Sequence, residues 1–224
     1  MSNPTPGFDP LSMTAETASL VAAAHHCEPL PSLGDELAYQ NFVEMWESLA
    51  SNHADRTWIS YYACAADDET PTEYSFRDFS DLIDRVAGLL SSRYGITAGG
   101  SVATLTINQP LTVAIYFAAW RLGARVVPVN PGETDDRVGY IVKNSDATLL
   151  VAHTSCRESF AAVEAAIGTS VRRAIVLDGA VRADAAAAVW EDFNAALAEY
   201  SGGGKLPTAR EVSPHAEALV VYTS

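Results

Sequence analysis

The sequence predicts an α/β fold in which parallel-sheet βαβ layers carry helices on both faces. Three observations support this. From Gly95 onward, short apolar segments alternate with helix-like segments of ten or more residues, the pattern of strand–helix–strand crossovers. Short segments such as "TLLV" and "ALVV" are apolar or β-branched throughout, as strands buried on both faces are. With 224 residues, 48% of them hydrophobic and 19% charged, the chain can bury a sheet between two helical layers.

The elements follow in order. Residues 1–35 are rich in Pro, Ser, Thr and Ala and read as a loose leader with one short helix over Ala15–Ala24. The folded part is expected over 36–224. It opens at "NFVEMWESLASNHADR", where Phe42, Met45, Trp46 and Leu49 recur at helical spacing. "TWISYYACA" (57–65) is β-branched and aromatic, hence a strand; "DDETPTEYSF" supplies a turn and an extended segment that can pair with it as a hairpin. "SFRDFSDLIDRVAGLLSSRYG" puts Phe79, Leu82, Ile83, Val86, Leu89 and Leu90 on one stripe of a helix, with Gly95 placed to stop it. Next come the strand "SVATLTI" and the helix "NQPLTVAIYFAAWRLGA", with Pro110 suited to its first turn. The strand "RVVPV" leads to the helix "TDDRVGYIVKNSD", opened by Thr134 with acids in its first turn. The strand "ATLLVA", the helix "CRESFAAVEAAIG" and the strand "RRAIVL" come next. An Ala-rich helix over Asp184–Tyr200, a long flexible loop "SGGGKLPTAREVSPH" and a last buried strand "EALVVYT" complete the chain.

Composition excludes several functions. A formal charge of −14, with no Lys or Arg before Arg56, argues against a nucleic-acid partner, which needs clustered cations. The best apolar run, "LTVAIYFAAW", is far shorter than the ~18 residues of a membrane span, so no span is expected. "MSNPTPGFDP" lacks the basic and apolar regions of a signal peptide, and a cytoplasmic location is the default. Cys27, Cys64 and Cys156 form no CxxC and no disulfide framework. "HHC" at His25–Cys27 has no second ligand cluster, and no metal residue is assigned.

In an open parallel sheet, ligands bind at the carboxyl ends of the strands. The loops there are "NQP" after Ile107, "NPGET" after Val129, "HTS" after Ala152, "DGA" after Leu177, and whatever follows Tyr222. Asn108 reads most simply as a helix cap, Asn130–Gly132 as a turn, and His153 as a neutral loop histidine, with a catalytic role as the rival. "SGGGK" fails as a phosphate loop: Glu199 stands at the first glycine position, Leu206 replaces the hydroxyl residue, and a helix precedes it. No GxGxxG or GxSxG occurs in context, and no catalytic residue is assigned. "VVYTS" differs, because a strand ending in two hydroxyls is how a phosphate-cradling loop can begin; a strand end followed by a turn is the plainer alternative.

The segments "YSFRDFSDLIDRVAGLL", "GSVATLTINQPLTVAIYFAAWRLGARVVPVNP", "RVGYIVKNSDATLLV" and "ALVVYTS", in this order, resemble the AMP-forming, carboxylate-activating enzymes. That family includes acyl- and aryl-CoA synthetases, luciferases and peptide-synthetase adenylation domains. The resemblance runs from about Asn41 to Ser224 and implies the first part of the family's large N-terminal domain. It implies that Thr223 and Ser224 are the first two residues of an ATP-phosphate loop of the form TSGTTGxPKG. It further implies that the parent enzyme uses ATP, Mg²⁺ and coenzyme A on a small-molecule carboxylate. No cofactor is expected bound to this chain, which is expected to be inactive alone. The alternative is a non-catalytic α/β interaction module with the same fold. In either case an exposed sheet surface would favour self-association.

Overall fold

The computed structural model describes residues 38–63, 70–159, 164, 171, 173–178, 190–203 and 205–222. The expected leader with its helix at Ala15–Ala24, the His25–Cys27 run and Cys64 lie outside these residues, as do Thr223 and Ser224.

Helix α1 (Phe42–Asn52) starts at Asn41, whose side-chain oxygen accepts from the Glu44 N–H and whose amide donates to the Ala209 and Val212 carbonyls. Strands β1 (Thr57–Tyr61) and β2 (Thr72–Ser75) form the expected antiparallel hairpin. Helix α2 (Phe76–Ser92) begins with a capping box in which Ser75 and Asp78 satisfy each other's backbone N–H groups. It unwinds at Gly95, whose φ of +70° is a left-handed turn that a side chain would resist.

Five strands then build one parallel sheet: β3 (Ser101–Leu105), β4 (Arg125–Pro128), β5 (Leu149–His153), β6 (Arg173–Leu177) and β7 (Trp190–Asp192). Their spatial order is β4-β3-β5-β6-β7. Helix α3 (Pro110–Arg121) joins β3 to β4, α4 (Asp135–Asn144) joins β4 to β5, and α5 (Phe193–Glu199) follows β7. Alternate strand residues enter different cores, as the two-residue period of a strand requires. Val102, Val126, Leu149, Val151, Ile175 and Leu177 meet the layer of α1, α2, α3 and α5, where Phe79, Ile83, Ala114, Ala118 and Phe193 are buried. Ala103, Val127, Leu150, Ala152 and Val176 meet Val138, Ile141 and Val142 of α4. The fold class read from the alternation is therefore observed: a parallel sheet between two helical layers.

Four expectations change. Asn108 is not the cap of α3: Pro110 occupies the first helical turn, so the cap falls on Gln109, whose side chain makes no capping bond. The Ala-rich segment is not wholly helical where it is described. Trp190–Asp192 pairs with Ala174–Val176 as an edge strand, and the helix starts only after the Asp192 side chain caps the Ala195 N–H. The start of "CRESFAAVEAAIG" lies in a 3₁₀ helix over Thr154–Ser159. The last strand is not buried: Leu219 makes a single parallel bridge to Val126, and Leu219 and Val221 are 47% and 60% exposed because only β4 flanks the segment among the described residues. The loop before it is pinned at Ala209–Glu211, a 3₁₀ turn with a Thr208–Glu211 capping box. No described helix is long and apolar enough to cross a membrane.

Candidate functional site

The chain runs β3 to β4 on one side and then crosses to β5 on the other side of β3. That reversal puts the switch point of the sheet at the carboxyl ends of β3 and β5, where α/β sheets take ligands. Beyond β3, Asn108 is exposed and Gln109 is buried, its Nε2 without a hydrogen-bond partner. Thr112 Oγ1 donates to the Ile107 carbonyl at 3.0 Å and holds this loop against α3. Beyond β4, the Asn130 side chain accepts from the Gly132 N–H at 2.9 Å, so "NPG" is a side-chain-closed turn, as expected.

The terminal segment is attached to β4 at alternate residues. Glu217 pairs with Arg125 at 2.7 Å. The Ala218 carbonyl accepts from the Val126 N–H at 3.0 Å and from Trp120 Nε1 at 2.6 Å. The Val220 N–H donates to the Val126 carbonyl at 3.0 Å. Val220 and Tyr222 turn into the α4-side core. The Tyr222 hydroxyl donates to Asn144 Oδ1 at 2.8 Å, and its ring meets Tyr140 edge-on at 6.3 Å. Burial is the main cause that pushes the Tyr222 phenol above its ordinary pKa, with Tyr140 adding to it. Leu219 lies opposite Val126 in a parallel bridge, so the segment runs in the direction of β4, while the Tyr222 side chain reaches Asn144 at the end of α4 that leads into β5. The described terminal segment therefore runs in the direction of the carboxyl edge of the sheet.

His153 ends β5, but the sheet does not bring it to the terminal segment. It is paired in register with Leu177 and faces Asp178, which follows β6. Both loops can be placed at the carboxyl edge from sequence; that they are neighbours depends on the β5–β6 pairing, which no local pattern encodes. No local signal therefore marks Asp178 or its partner Asn194.

A pocket of about 580 Å³ opens at the opposite, amino edge, between Gly99, Gly100, Leu122 and Arg125 on one side and Leu206 and Val212 on the other. The Arg125 guanidinium there is committed to Glu217 and to the Ser145 carbonyl. The pocket lies before the first residues of β3 and β4, away from the carboxyl ends where strand-end chemistry would sit. Among the described residues no group of three His, Cys, Asp or Glu side chains converges as a metal site.

The AMP-binding enzyme family matches residues 46–224. A crotonobetaine/carnitine–CoA ligase of Salmonella paratyphi A is 30% identical over 117 residues, which is 52% of this chain and 22% of that protein. A long-chain-fatty-acid–CoA ligase from Archaeoglobus fulgidus superposes with a TM-score of 0.65 at 25% identity, over 81% of this chain and 34% of its own. An acyl-CoA synthetase from Brucella canis superposes with a TM-score of 0.57 at 26% identity, over 76% of this chain and 29% of its own. The chain thus spans 22% of that curated relative's length and about a third of the solved ligases.

Proposed function

The chain belongs to the AMP-binding enzyme family, and from that premise we propose that it is the amino-terminal part of a cytoplasmic AMP-forming carboxylate–CoA ligase. In the proposed reaction a carboxylate oxygen of a fatty or aryl acid attacks the α-phosphorus of ATP and pyrophosphate leaves. The thiol of coenzyme A then attacks the acyl carbon, AMP leaves, and a thioester remains. Mg²⁺ would neutralise phosphate charge in the whole enzyme; none of the described residues is assigned to it.

The contribution of these residues is placement. Thr223 and Ser224 are proposed as the opening of the phosphate loop, their hydroxyls and N–H groups donating to phosphate oxygens. The observation that carries the reading is the tethering of the terminal segment along β4, where the Ala218 carbonyl and the Val220 N–H both bond to Val126 and set the segment parallel to that strand. A loop that must hold polyphosphate needs a fixed starting point, and this segment supplies one.

The test is acid-dependent ATP–pyrophosphate exchange, with CoA-dependent AMP release, by the product of the whole reading frame. The panel would contain a straight-chain fatty acid, an aromatic acid and carnitine. Exchange with at least one acid is expected, and none with any acid overturns the ligase reading. The purified 224-residue chain, which matches 22% to 34% of the length of these relatives, is expected to give no exchange. A clear signal from it would overturn the proposal that it is inactive alone.

A further inference from the structure

We propose that Ser155, His153 and Asp178 form a separate nucleophilic site, in which Ser155 is acylated by carboxylic esters with good leaving groups. The three residues come from the carboxyl ends of β5 and β6. Ser155 Oγ lies 2.7 Å from His153 Nδ1. The Ser155 backbone N–H also donates to Nδ1, at 3.0 Å, so that nitrogen carries a lone pair and the proton of the neutral ring sits on Nε2. Nε2 faces Asp178 Oδ2 at 3.5 Å.

The carboxylate is itself oriented. Asn194 Nδ2 donates to Asp178 Oδ1 at 2.8 Å, and Asn194 Oδ1 accepts from the Asp178 N–H at 3.1 Å. Thr154 Oγ1 donates to the Asp178 carbonyl at 3.2 Å, tying the two loops together. Asp178 is held at φ +57°, a left-handed conformation that costs energy outside glycine and that these bonds maintain. A hydroxyl on a base, the base backed by a carboxylate, and the carboxylate fixed by a further group are the parts of an activated nucleophile, recognised by geometry and not by chain order.

Exposure fits the assignment. Ser155 is exposed, whereas the His153 side chain is only 12% exposed, so the base is sheltered and the nucleophile is reachable. The site is also distinct from the proposed phosphate loop. Strands β4 and β3 stand between the terminal segment and β5, which leads into Ser155, roughly 14 Å at ~4.8 Å per strand.

In the reaction, Ser155 Oγ bonds to the acyl carbon as its proton passes to Nδ1. The carbon–oxygen bond to the alcohol then breaks as Nδ1 returns the proton to the leaving oxygen. Water repeats the sequence, frees the acid and restores Ser155. The Asp178 carboxylate stabilises the imidazolium. Because the Ser155 N–H must release Nδ1 when that atom takes the proton, acylation is slower than where a ring faces the hydroxyl alone. Stoichiometric labelling is therefore the appropriate readout.

The experiment treats the 224-residue chain with a fluorophosphonate, in which Ser155 Oγ bonds to phosphorus and fluoride leaves, and locates the adduct by peptide mass. One adduct on Ser155 is expected. His153→Gln keeps an acceptor for the Ser155 N–H but no base, and should lower the rate about 100-fold, within the range of general-base catalysis. Asp178→Asn should lower it about tenfold, because the amide no longer supplies a negative charge opposite the imidazolium. An unlabelled Ser155, an adduct on Cys156 instead (its Sγ lies 3.9 Å from Ser155 Oγ), or equal rates in wild type and His153→Gln would overturn the site. Should His153→Gln fail to fold by circular dichroism, equal labelling rates in wild type and Asp178→Asn overturn it as well. None of these outcomes depends on ligase activity.

Discussion

Asp84 on α2 shows how a single side chain can oppose its own ion pair. Its Oδ1 lies 3.1 Å from Arg121 Nε, and the same guanidinium holds Glu47 at 3.1 Å. The carboxyl nevertheless sits above the ordinary range, because the burial of its covered half outweighs the attraction of Arg121 and because Asp81 and Glu47 push the same way as burial. The opposite case is Asp78, fully exposed, which the Ser75 hydroxyl and N–H hold below the ordinary range. For Asp84 the folded state binds the proton more tightly than the unfolded chain does. Stability is therefore lost as pH rises from the ordinary carboxylate value, about 4, through the higher folded one. Asparagine mimics the protonated carboxyl at every pH. The melting temperature of Asp84→Asn relative to wild type should become more favourable between pH 3 and pH 7. A difference that is flat or falls over that interval would show that the Arg121 contact dominates.

At the scale of elements, α2 was the most legible part of the chain and also contains its tightest approach. Phe79, Ile83, Val86, Leu89 and Leu90, read from helical spacing, are all buried, and Ser75 opens the helix. What spacing could not show is why Gly88 stands inside a helix. A Cβ there would meet Tyr200 Oη at 2.2 Å and Cζ at 2.8 Å, so the missing side chain lets the residue after α5 pack on α2. Gly88→Ala should gain about 1 kcal/mol of helix propensity and lose about 1–3 kcal/mol to overpacking. It should be neutral to destabilising in the wild type and stabilising by about 1 kcal/mol in a Tyr200→Ala background. Urea denaturation of the four proteins measures this, and additive effects would contradict the contact. The elements that sequence reading missed share one cause. Trp190–Asp192 follows an Ala-rich run with helix propensity, and its pairing with β6 overrides that local preference. The apolar run at Leu219–Val221 has the same composition whether a strand is covered or at an edge, and only its neighbours decide. His153 looked solitary because Asp178 reaches it through the β5–β6 register.

For the whole molecule, the β4 side of the sheet is where the surface changes character. Ala218 and Val220 spend their backbone groups on Val126. Alternation then directs the N–H and C=O groups of Leu219 and Val221 to the open side of the segment. Their side chains are also exposed, at 47% and 60%. An apolar strand edge whose backbone meets no partner among the described residues is the arrangement that folded proteins normally cover or charge, because it templates pairing with another chain. Here the segment carries no lysine, proline or bulge between Glu217 and Tyr222. The net charge of −14 opposes close approach of two copies at low salt, and screening relieves that repulsion as the Debye length shrinks from about 30 Å at 0.01 M to about 3 Å at 1 M salt. Self-association of the 224-residue chain through residues 217–222 should therefore strengthen with salt, whereas association through ion pairs would weaken. Light scattering behind size-exclusion chromatography should show a mass above one chain at high salt, reduced to one chain by Leu219→Lys with Val221→Lys. A monomer at every salt concentration, or association that the lysine pair leaves intact, would place the contact elsewhere or nowhere.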